Sequence, residues 1–210
     1  MALVSEWPTQ LGATYHGASV RLRRLRPRAD RDEWSRLRRG NADWTGPWDS
    51  TSPHPSRRMT FRQMVRDQDR EARAGRLLPF ALEIDGRLAG QVHLFGITRG
   101  AMQGGMAGYW IDRRCAGRGF MPFALAMLMD YAFTELGLHR VEVNIRPDNE
   151  ASLRVVQKLR MRDEGVRHAY LHIAGAWHDH RSFALTVEDL AGERVVRRLA
   201  RSSQEPHQPL

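Results

Sequence analysis

The chain has 210 residues, of which 41% are hydrophobic, so it is long enough to form one domain with a sizeable core. A single cysteine, Cys115, excludes an intramolecular disulfide and a cysteine-based metal cluster, and it favours a reducing, cytoplasmic location. No apolar run reaches the roughly 20 residues that a membrane-spanning helix needs, and no secretory signal pattern is present, so no membrane partner is expected.

The formal net charge is +9, and arginine supplies almost all of the positive side chains. A positive net charge of this kind occurs in proteins that bind nucleic acids or acidic ligands. Acidic residues are interspersed with the arginines through most of the chain, however, and no basic block of domain size is present. We therefore interpret the charge mainly as a composition bias, and we expect contact with nucleic acid to be indirect.

The first half of the chain combines β-rich runs with two helical patterns. Val20 and Leu22 alternate with arginines, as in a strand, and Asp85-Gly86 between two β-rich runs is a strong hairpin signal. Glycines and prolines around Trp44 and Trp48 indicate a loop. The predicted elements are an N-terminal arm (1–16), a strand (19–25), a helix (30–39), the tryptophan loop (40–55), a helix (60–73) and a hairpin (79–84 and 87–97).

The second half contains a segment, 120–136, with apolar residues on nearly every side, which predicts a helix buried on most sides. The predicted elements are a strand (106–112), this helix, a strand (140–146), a helix (149–159), a hairpin (165–173 and 177–187) and a flexible C-terminal tail (191–210). The order of elements predicts one α/β (α+β) domain over 17–190. Its sheet is expected to be mixed, mostly antiparallel and of about seven strands, with helices on both faces.

The run Arg114-Cys115-Ala116-Gly117-Arg118-Gly119 lies between the strand 106–112 and the helix 120–136. The free N–H groups at a helix N-terminus carry partial positive charge, which suits a diphosphate. Glycines let the backbone approach the phosphate closely, and arginines can add charge-assisted hydrogen bonds. The sequence therefore predicts an anion site at this glycine loop, residues 114–119.

The R-x-x-G-x-G pattern of this loop resembles the acyl-CoA diphosphate loop of the GNAT superfamily of N-acetyltransferases. The later run Arg146-Pro147-Asp148-Asn149-Glu150-Ala151-Ser152, continuing as LRVVQKLRMRDEG, looks like the RimJ/RimL-type N-terminal acetyltransferases within that superfamily. The resemblance covers roughly residues 19–189 and is strongest over 108–165. It implies the GNAT fold and acetyl-CoA as the cosubstrate.

The resemblance also implies which residues hold the cosubstrate. The glycine loop would bind the diphosphate, and the backbone at the end of the preceding strand would pair with the pantetheine arm and donate to the oxyanion. Asn149 would contact the cosubstrate. The residues assigned in this way are Trp110, Ile111, Asp112, Arg114, Gly117, Arg118, Gly119, Phe120, Asn149 and Ser152.

Ser152 is the candidate acid for the thiolate leaving group, because RimL-like enzymes place a serine of an N-x-x-S arrangement near the CoA sulfur. Asn149 and Ser152 match that arrangement, although they would also fit the N-cap and first turn of any helix. Many superfamily members instead have a tyrosine seven residues after the position of Asn149. This chain has Val156 there, which favours Ser152 over a tyrosine acid.

The general base is left open by the sequence. Glu142 shares a strand face with Asn144 and could order a water against the amine, but a cross-strand ion pair would fit its position equally well. Glu83 is a weaker candidate, and a neutral amine drawn from solution would need no base. His178 and His180 also share a strand face, but further ligands with zinc-site spacing are lacking, so no metal is expected.

The predicted activity is direct transfer of acetyl from acetyl-CoA to a primary amine. The resemblance favours a protein N-terminal α-amine, of the ribosomal-protein type. Two alternatives remain: a small-molecule amine such as an aminoglycoside, polyamine or amino acid, and a non-catalytic basic module that binds RNA or the ribosome. The resemblance also leaves open whether the protein is a monomer or a homodimer.

Overall fold

A computed structural model describes residues 7–54 and 59–202. Their strands form a single eight-stranded sheet in the order β1-β2-β3-β4-β5-β6-β8-β7, in which β5 and β6 are parallel and all other neighbours are antiparallel. The strands are β1 (Gln10–Tyr15), β2 (Ala18–Arg23), β3 (Leu77–Ile84), β4 (Arg87–Thr98), β5 (Gly104–Ile111), β6 (Arg140–Ile145), β7 (Arg162–Ile173) and β8 (Ala176–Thr186).

Helices cover both faces of the sheet. The long apolar helix α4 packs on the face formed by residues such as Val92 and Leu94, whereas α1 and α3 cover a smaller apolar cluster on the opposite face. The helices of the described residues are α1 (Arg31–Gly40), α2 (Ala42–Thr45), α3 (Phe61–Arg73), α4 (Phe120–Thr134), α5 (Glu150–Lys158), α6 (Val187–Leu190) and α7 (Val195–Ser202). Two short 3-10 helices, Gly46–Trp48 and Arg113–Cys115, lie in the connections. The predicted fold class is confirmed.

The eighth strand, β1, lies in what the sequence predicted to be an arm without a core element. Residues 10–15 pair along their whole length with β2 through a tight turn at His16 and Gly17, whose φ angles are 48° and 81°. Tyr15 stacks on Phe123 of α4 with ring centroids 4.4 Å apart. The prediction is wrong for this segment because an exposed edge strand carries little hydrophobic periodicity, and its anchoring side chain contacts a helix far along the chain.

The predicted flexible tail is likewise wrong for residues 195–202, which form α7 against α4. Val195 and Leu199 are buried there. The Asp130 carboxylate, within α4, accepts hydrogen bonds from the N–H groups of Val195 at 2.7 Å and Val196 at 3.3 Å. A side chain 65 positions earlier therefore satisfies the first turn of this helix, and a local sequence pattern cannot show such a contact.

We expect Asp130→Ala to lower the free energy of unfolding by about 1–3 kcal/mol, because one buried and one part-buried N–H group lose a charged acceptor. Thermal unfolding followed by circular dichroism measures the effect. Asp32→Ala is the matched control, since that carboxylate is 80% exposed and its loss should change stability by less than about 0.5 kcal/mol. Equal melting temperatures for the two variants would show that α7 docks without Asp130.

Strands β5 and β6 stay together over only three residue pairs. Gly104, Gly105 and Met106 face Arg140, Val141 and Glu142, and beyond Met106 the two parallel strands share no further pairs. Each strand keeps its antiparallel partner on the outer side, β4 for β5 and β8 for β6. The sheet therefore contains a gap, bordered by backbone groups that no neighbouring strand satisfies.

Candidate active site

Two cavities meet at the gap between β5 and β6. The loop cavity, beside the glycine loop, has a volume of about 440 Å³. The hairpin cavity, beside the β7–β8 hairpin, has a volume of about 480 Å³. The gap thus joins one side of the sheet to the other. The residues that line both cavities are Trp48, Asp49, Tyr109, Trp110, Asn149 and Ser152.

The glycine loop leads into the N-terminus of α4 at the wall of the loop cavity. Gly117 and Gly119 adopt φ angles of 74° and 82°, in the left-handed region that favours glycine. The N–H groups of residues 117–119 donate to no backbone acceptor in the described chain, and those of Phe120 and Met121 lie in the first helical turn. Several N–H groups are therefore available to an anion at this end of the loop cavity.

The end of β5 presents its backbone to the gap. Asp112 N–H donates to Ala89 O at 2.7 Å, toward β4. Because the N–H and C=O groups of successive residues point to opposite sides of a strand, those of Tyr109 and Ile111 point away from β4 and into the gap. The Ile111 carbonyl accepts a hydrogen bond of 3.1 Å from the Trp44 indole. The Ile111 N–H and both Tyr109 backbone groups therefore face the gap. The backbone of Trp110 and the N–H of Asp112, both predicted to take part, instead point toward β4.

Asp112 and Arg114 hold the loop together instead of lining the loop cavity. The Asp112 carboxylate is buried and accepts hydrogen bonds from the Arg114 guanidinium at 2.6 and 2.9 Å and from Asn41 Nδ2 at 3.3 Å. Burial would raise the pKa of Asp112, but the hydrogen bonds from Arg114 and Asn41 outweigh burial and lower it. Asn41, for which the sequence pattern predicts no role, also accepts a hydrogen bond of 2.9 Å from Arg113 N–H.

Positive side chains reach the loop cavity from α5. Arg118, predicted to contact the cosubstrate, instead places its guanidinium 4.9 Å from the centre of the Phe120 ring and does not line this cavity. Arg154 and Lys158 do line it, and Lys158 is the only lysine in the sequence. A role for these two residues cannot be predicted from the sequence, because it does not show that α5 faces the glycine loop.

Asn149 and Ser152 lie at the start of α5, on the wall shared by both cavities. The Asn149 side chain caps the helix by accepting a hydrogen bond of 3.1 Å from Ser152 N–H. The Ser152 carbonyl accepts a longer hydrogen bond, 3.4 Å, from the Tyr109 hydroxyl, whose pKa burial raises. The Ser152 hydroxyl has no hydrogen-bond partner within the described residues. Asn149 is thus the cap, and the Ser152 hydroxyl is free for a ligand.

Glu142 lies outside both cavities. Its buried carboxylate forms ion pairs with Arg140 at 2.8 Å and with Arg167 at 2.7 Å. The structure therefore does not bring this predicted base to the site and instead gives it the cross-strand ion pair that the sequence left open. Glu83 is likewise buried in an ion pair, with Arg23 at 2.6 Å.

The tryptophan loop and the β7–β8 hairpin close the hairpin cavity. Thr51 N–H donates to His172 O at 2.8 Å, next to an isolated bridge between Ser50 and Ile173. Asp49 is the one acidic residue lining either cavity within the described chain, and it forms an ion pair with Arg38. Arg146 also lines the hairpin cavity and forms an ion pair with Asp148 at 2.6 Å. The rest of this cavity is lined by two histidines and by uncharged side chains, several of them aromatic.

Within the described residues, no group of three or more histidine, cysteine, aspartate or glutamate side chains is arranged to hold a metal ion. The same part of the chain contains no helix that is both long enough and apolar enough to cross a membrane.

The split sheet, the glycine loop at a helix N-terminus and the two joined cavities define an acyl-CoA-type transferase fold. The acetyltransferase (GNAT) domain profile matches residues 19–162, and the chain belongs to this family.

Among solved structures, Mycobacterium smegmatis RimJ in complex with CoA-disulfide is 34% identical, with a TM-score of 0.80 over 88% of this chain and 90% of that one. The Bacillus subtilis probable N-acetyltransferase YjcK is 42% identical over 50% of this chain and 58% of its own length. The Escherichia coli [ribosomal protein uS5]-alanine N-acetyltransferase is 31% identical over 49% and 53%, respectively. The chain thus matches between half and three fifths of these two curated relatives.

Proposed function

We propose that the protein transfers acetyl from acetyl-CoA to the α-amine at a protein N-terminus. The observation that carries this proposal is the gap between β5 and β6, where Asn149 and Ser152 belong to both cavities. A thioester held in the loop cavity and an amine held in the hairpin cavity would meet at these residues. The CoA complex of the similar RimJ structure supports the assignment of the loop cavity to the cosubstrate.

The chain's own groups fit the steps of acetyl transfer. The N–H groups at the start of α4, together with Lys158 and Arg154, would bind the diphosphate. The Ile111 N–H, which faces the gap, would donate to the oxyanion as the amine attacks the thioester carbon. The Ser152 hydroxyl would then give a proton to the departing thiolate.

The charge of the hairpin cavity favours a peptide over a polycationic small molecule. An aminoglycoside or polyamine needs several carboxylates to match its charges, whereas Asp49 is the one acidic lining residue described and it is already paired with Arg38. Asn144 and Tyr170 offer polar groups among aromatic walls, as suits an extended peptide with one terminal amine. The uS5-alanine acetyltransferase activity of the Escherichia coli relative agrees with this choice.

A competition assay tests the proposal. Purified protein and acetyl-CoA are mixed with an Ala- or Ser-initiated peptide, an N-terminally blocked peptide with an internal lysine, and an aminoglycoside, and the products are followed by mass spectrometry. We expect the free N-terminus to be acetylated fastest. Faster acetylation of the aminoglycoside would favour a small-molecule acceptor. Thermal stabilisation by RNA but not by acetyl-CoA would favour the non-catalytic binding module.

A further inference from the structure

His180 lies on β8 with its side chain in the wall of the hairpin cavity, and it is only 3% exposed. Ser182, two residues along the same strand face, donates a hydrogen bond to Asn144 Oδ1 at 2.6 Å, which fixes β8 against β6 at this level. The Tyr170 ring lies edge-on to the imidazole, with ring centroids 5.7 Å apart. The imidazole of His180 is therefore held in place in the cavity assigned to the acceptor.

The surroundings of His180 fix the position of its proton. Nδ1 lies 3.0 Å from the carbonyl oxygen of His178. A carbonyl can only accept, so Nδ1 must carry the hydrogen. In a neutral imidazole the other nitrogen, Nε2, then has a free lone pair. Within the described residues Nε2 has no hydrogen-bond partner, so its lone pair is available to a molecule in the cavity.

The imidazole of His180 is also held neutral. Burial lowers its pKa, and the nearby charges of Arg146 and His178 act in the same direction, while the backbone hydrogen bond to His178 and the charge of Asp148 oppose them. The net direction is downward from an ordinary value near 6.5. At neutral pH the ring therefore has a lone pair to offer.

His93 is the other imidazole that lines the hairpin cavity, and its accepting nitrogen is already used. Gln91 Oε1 accepts hydrogen bonds from the indoles of Trp34 at 2.9 Å and Trp110 at 3.1 Å. The Gln91 amide nitrogen must therefore be the donor in its 3.1 Å contact with His93 Nε2. Burial lowers the pKa of His93 to about 4, so its ring stays neutral and offers only the Nδ1 hydrogen.

We propose that His180 Nε2 accepts a hydrogen bond from the acceptor amine and takes its proton during transfer, an assignment that rests on the proposed function. The amine nitrogen bonds to the acetyl carbonyl carbon and the carbon–sulfur bond breaks. One amine proton passes to His180 Nε2, and the thiolate takes the proton of the Ser152 hydroxyl. A proton returned through solvent from His180 to the Ser152 alkoxide restores both residues. His180 thus supplies the base that Glu142, held by two arginines, does not.

Two substitutions of His180 separate hydrogen-bond acceptance at Nε2 from proton uptake at the same atom. His180→Asn keeps a donor near the His178 carbonyl and removes Nε2, whereas His180→Gln keeps a hydrogen-bond acceptor near the Nε2 position that cannot take a proton. We expect kcat to fall by about 10²-fold in both variants, with the Kd for acetyl-CoA unchanged. His178→Gln is the matched control, because that imidazole donates a hydrogen bond from Nε2 to the Ile173 carbonyl oxygen in the hairpin and lines neither cavity.

The kcat of each variant is measured with whichever amine the wild-type protein acetylates. The comparison between variants therefore holds even if the acceptor is not a protein N-terminus. Wild-type kcat in His180→Asn would overturn the assignment, and wild-type kcat in His180→Gln would overturn the proton transfer. Nitrogen-15 NMR of the histidine-labelled wild-type protein provides a test that needs neither turnover nor a variant. We expect His180 to be neutral with its hydrogen on Nδ1, and a hydrogen on Nε2 would overturn the proposal.

Discussion

Gly117→Asp is expected to abolish measurable binding of acetyl-CoA, lowering affinity by at least about 10²-fold. The substitution adds a negative side chain at the glycine loop, where the N–H groups at the start of α4 would otherwise meet the diphosphate. The site is open, since an added Cβ would have no other atom within 4 Å, so the loss would come from charge at the loop and not from a clash in the folded chain. Isothermal titration calorimetry measures the affinity.

Gly117→Asn is the matched control for this prediction. Asparagine has nearly the same shape as aspartate and tolerates the φ of 74° equally well, but it is neutral. We expect it to retain most of the affinity that Gly117→Asp loses. Equal affinities for the wild type and Gly117→Asp would remove the diphosphate from this loop and with it the central part of the proposed function.

Ser152→Ala is expected to lower kcat by about 10²–10⁴-fold while the Kd for acetyl-CoA changes little, because an aligned proton donor is lost from the leaving-group step. The backbone hydrogen bonds of Ser152, to Asn149 and from Tyr109, do not involve the hydroxyl and remain in the variant. The start of α5 should therefore keep its position. Pre-steady-state kinetics with a peptide acceptor, together with calorimetry, separates turnover from binding.

Asn149→Ala provides the contrasting variant, because it removes the cap of α5. We expect that change to lower the melting temperature, in keeping with a loss of about 1 kcal/mol, whereas Ser152→Ala should leave it unchanged. A Ser152→Ala protein with wild-type kcat would show that this serine has no part in the chemistry.

The parts of the fold that the sequence predicted are those set by local patterns. The apolar segment of α4 and the Asp85-Gly86 turn, with φ angles of 48° and 77°, determine their own structures. In contrast, β1 and α7 depend on distant partners, Phe123 and Asp130, and were predicted as an arm and a tail. Contacts between residues so far apart in sequence leave no periodic signal.

In the candidate site, too, the features that a local motif determines could be predicted, whereas those that depend on tertiary contacts could not. Gly117, Gly119, Asn149 and Ser152 line the loop cavity, because a short motif defines their local geometry, and their contact with the cosubstrate stays a prediction. The pairing of Glu142 with Arg167 depends on the register of β7, which is shifted by an irregularity between Arg167 and Leu171. The sequence shows His180 only as one of two histidines on a strand face, because the position of its proton and its place in the cavity depend on tertiary contacts.

The short contact between β5 and β6 makes the free energy of unfolding of the whole chain sensitive to a ligand bound in the gap. Three residue pairs join a five-stranded part of the sheet to a three-stranded part. A cosubstrate bound along the gap would therefore complete the backbone hydrogen bonding that β5 and β6 do not provide for each other. A ligand that binds only the folded state adds about 2.7 kcal/mol of stability at a hundred times its Kd. Under the proposed function, resistance of this protein to unfolding and proteolysis would therefore follow the supply of acetyl-CoA in the cell.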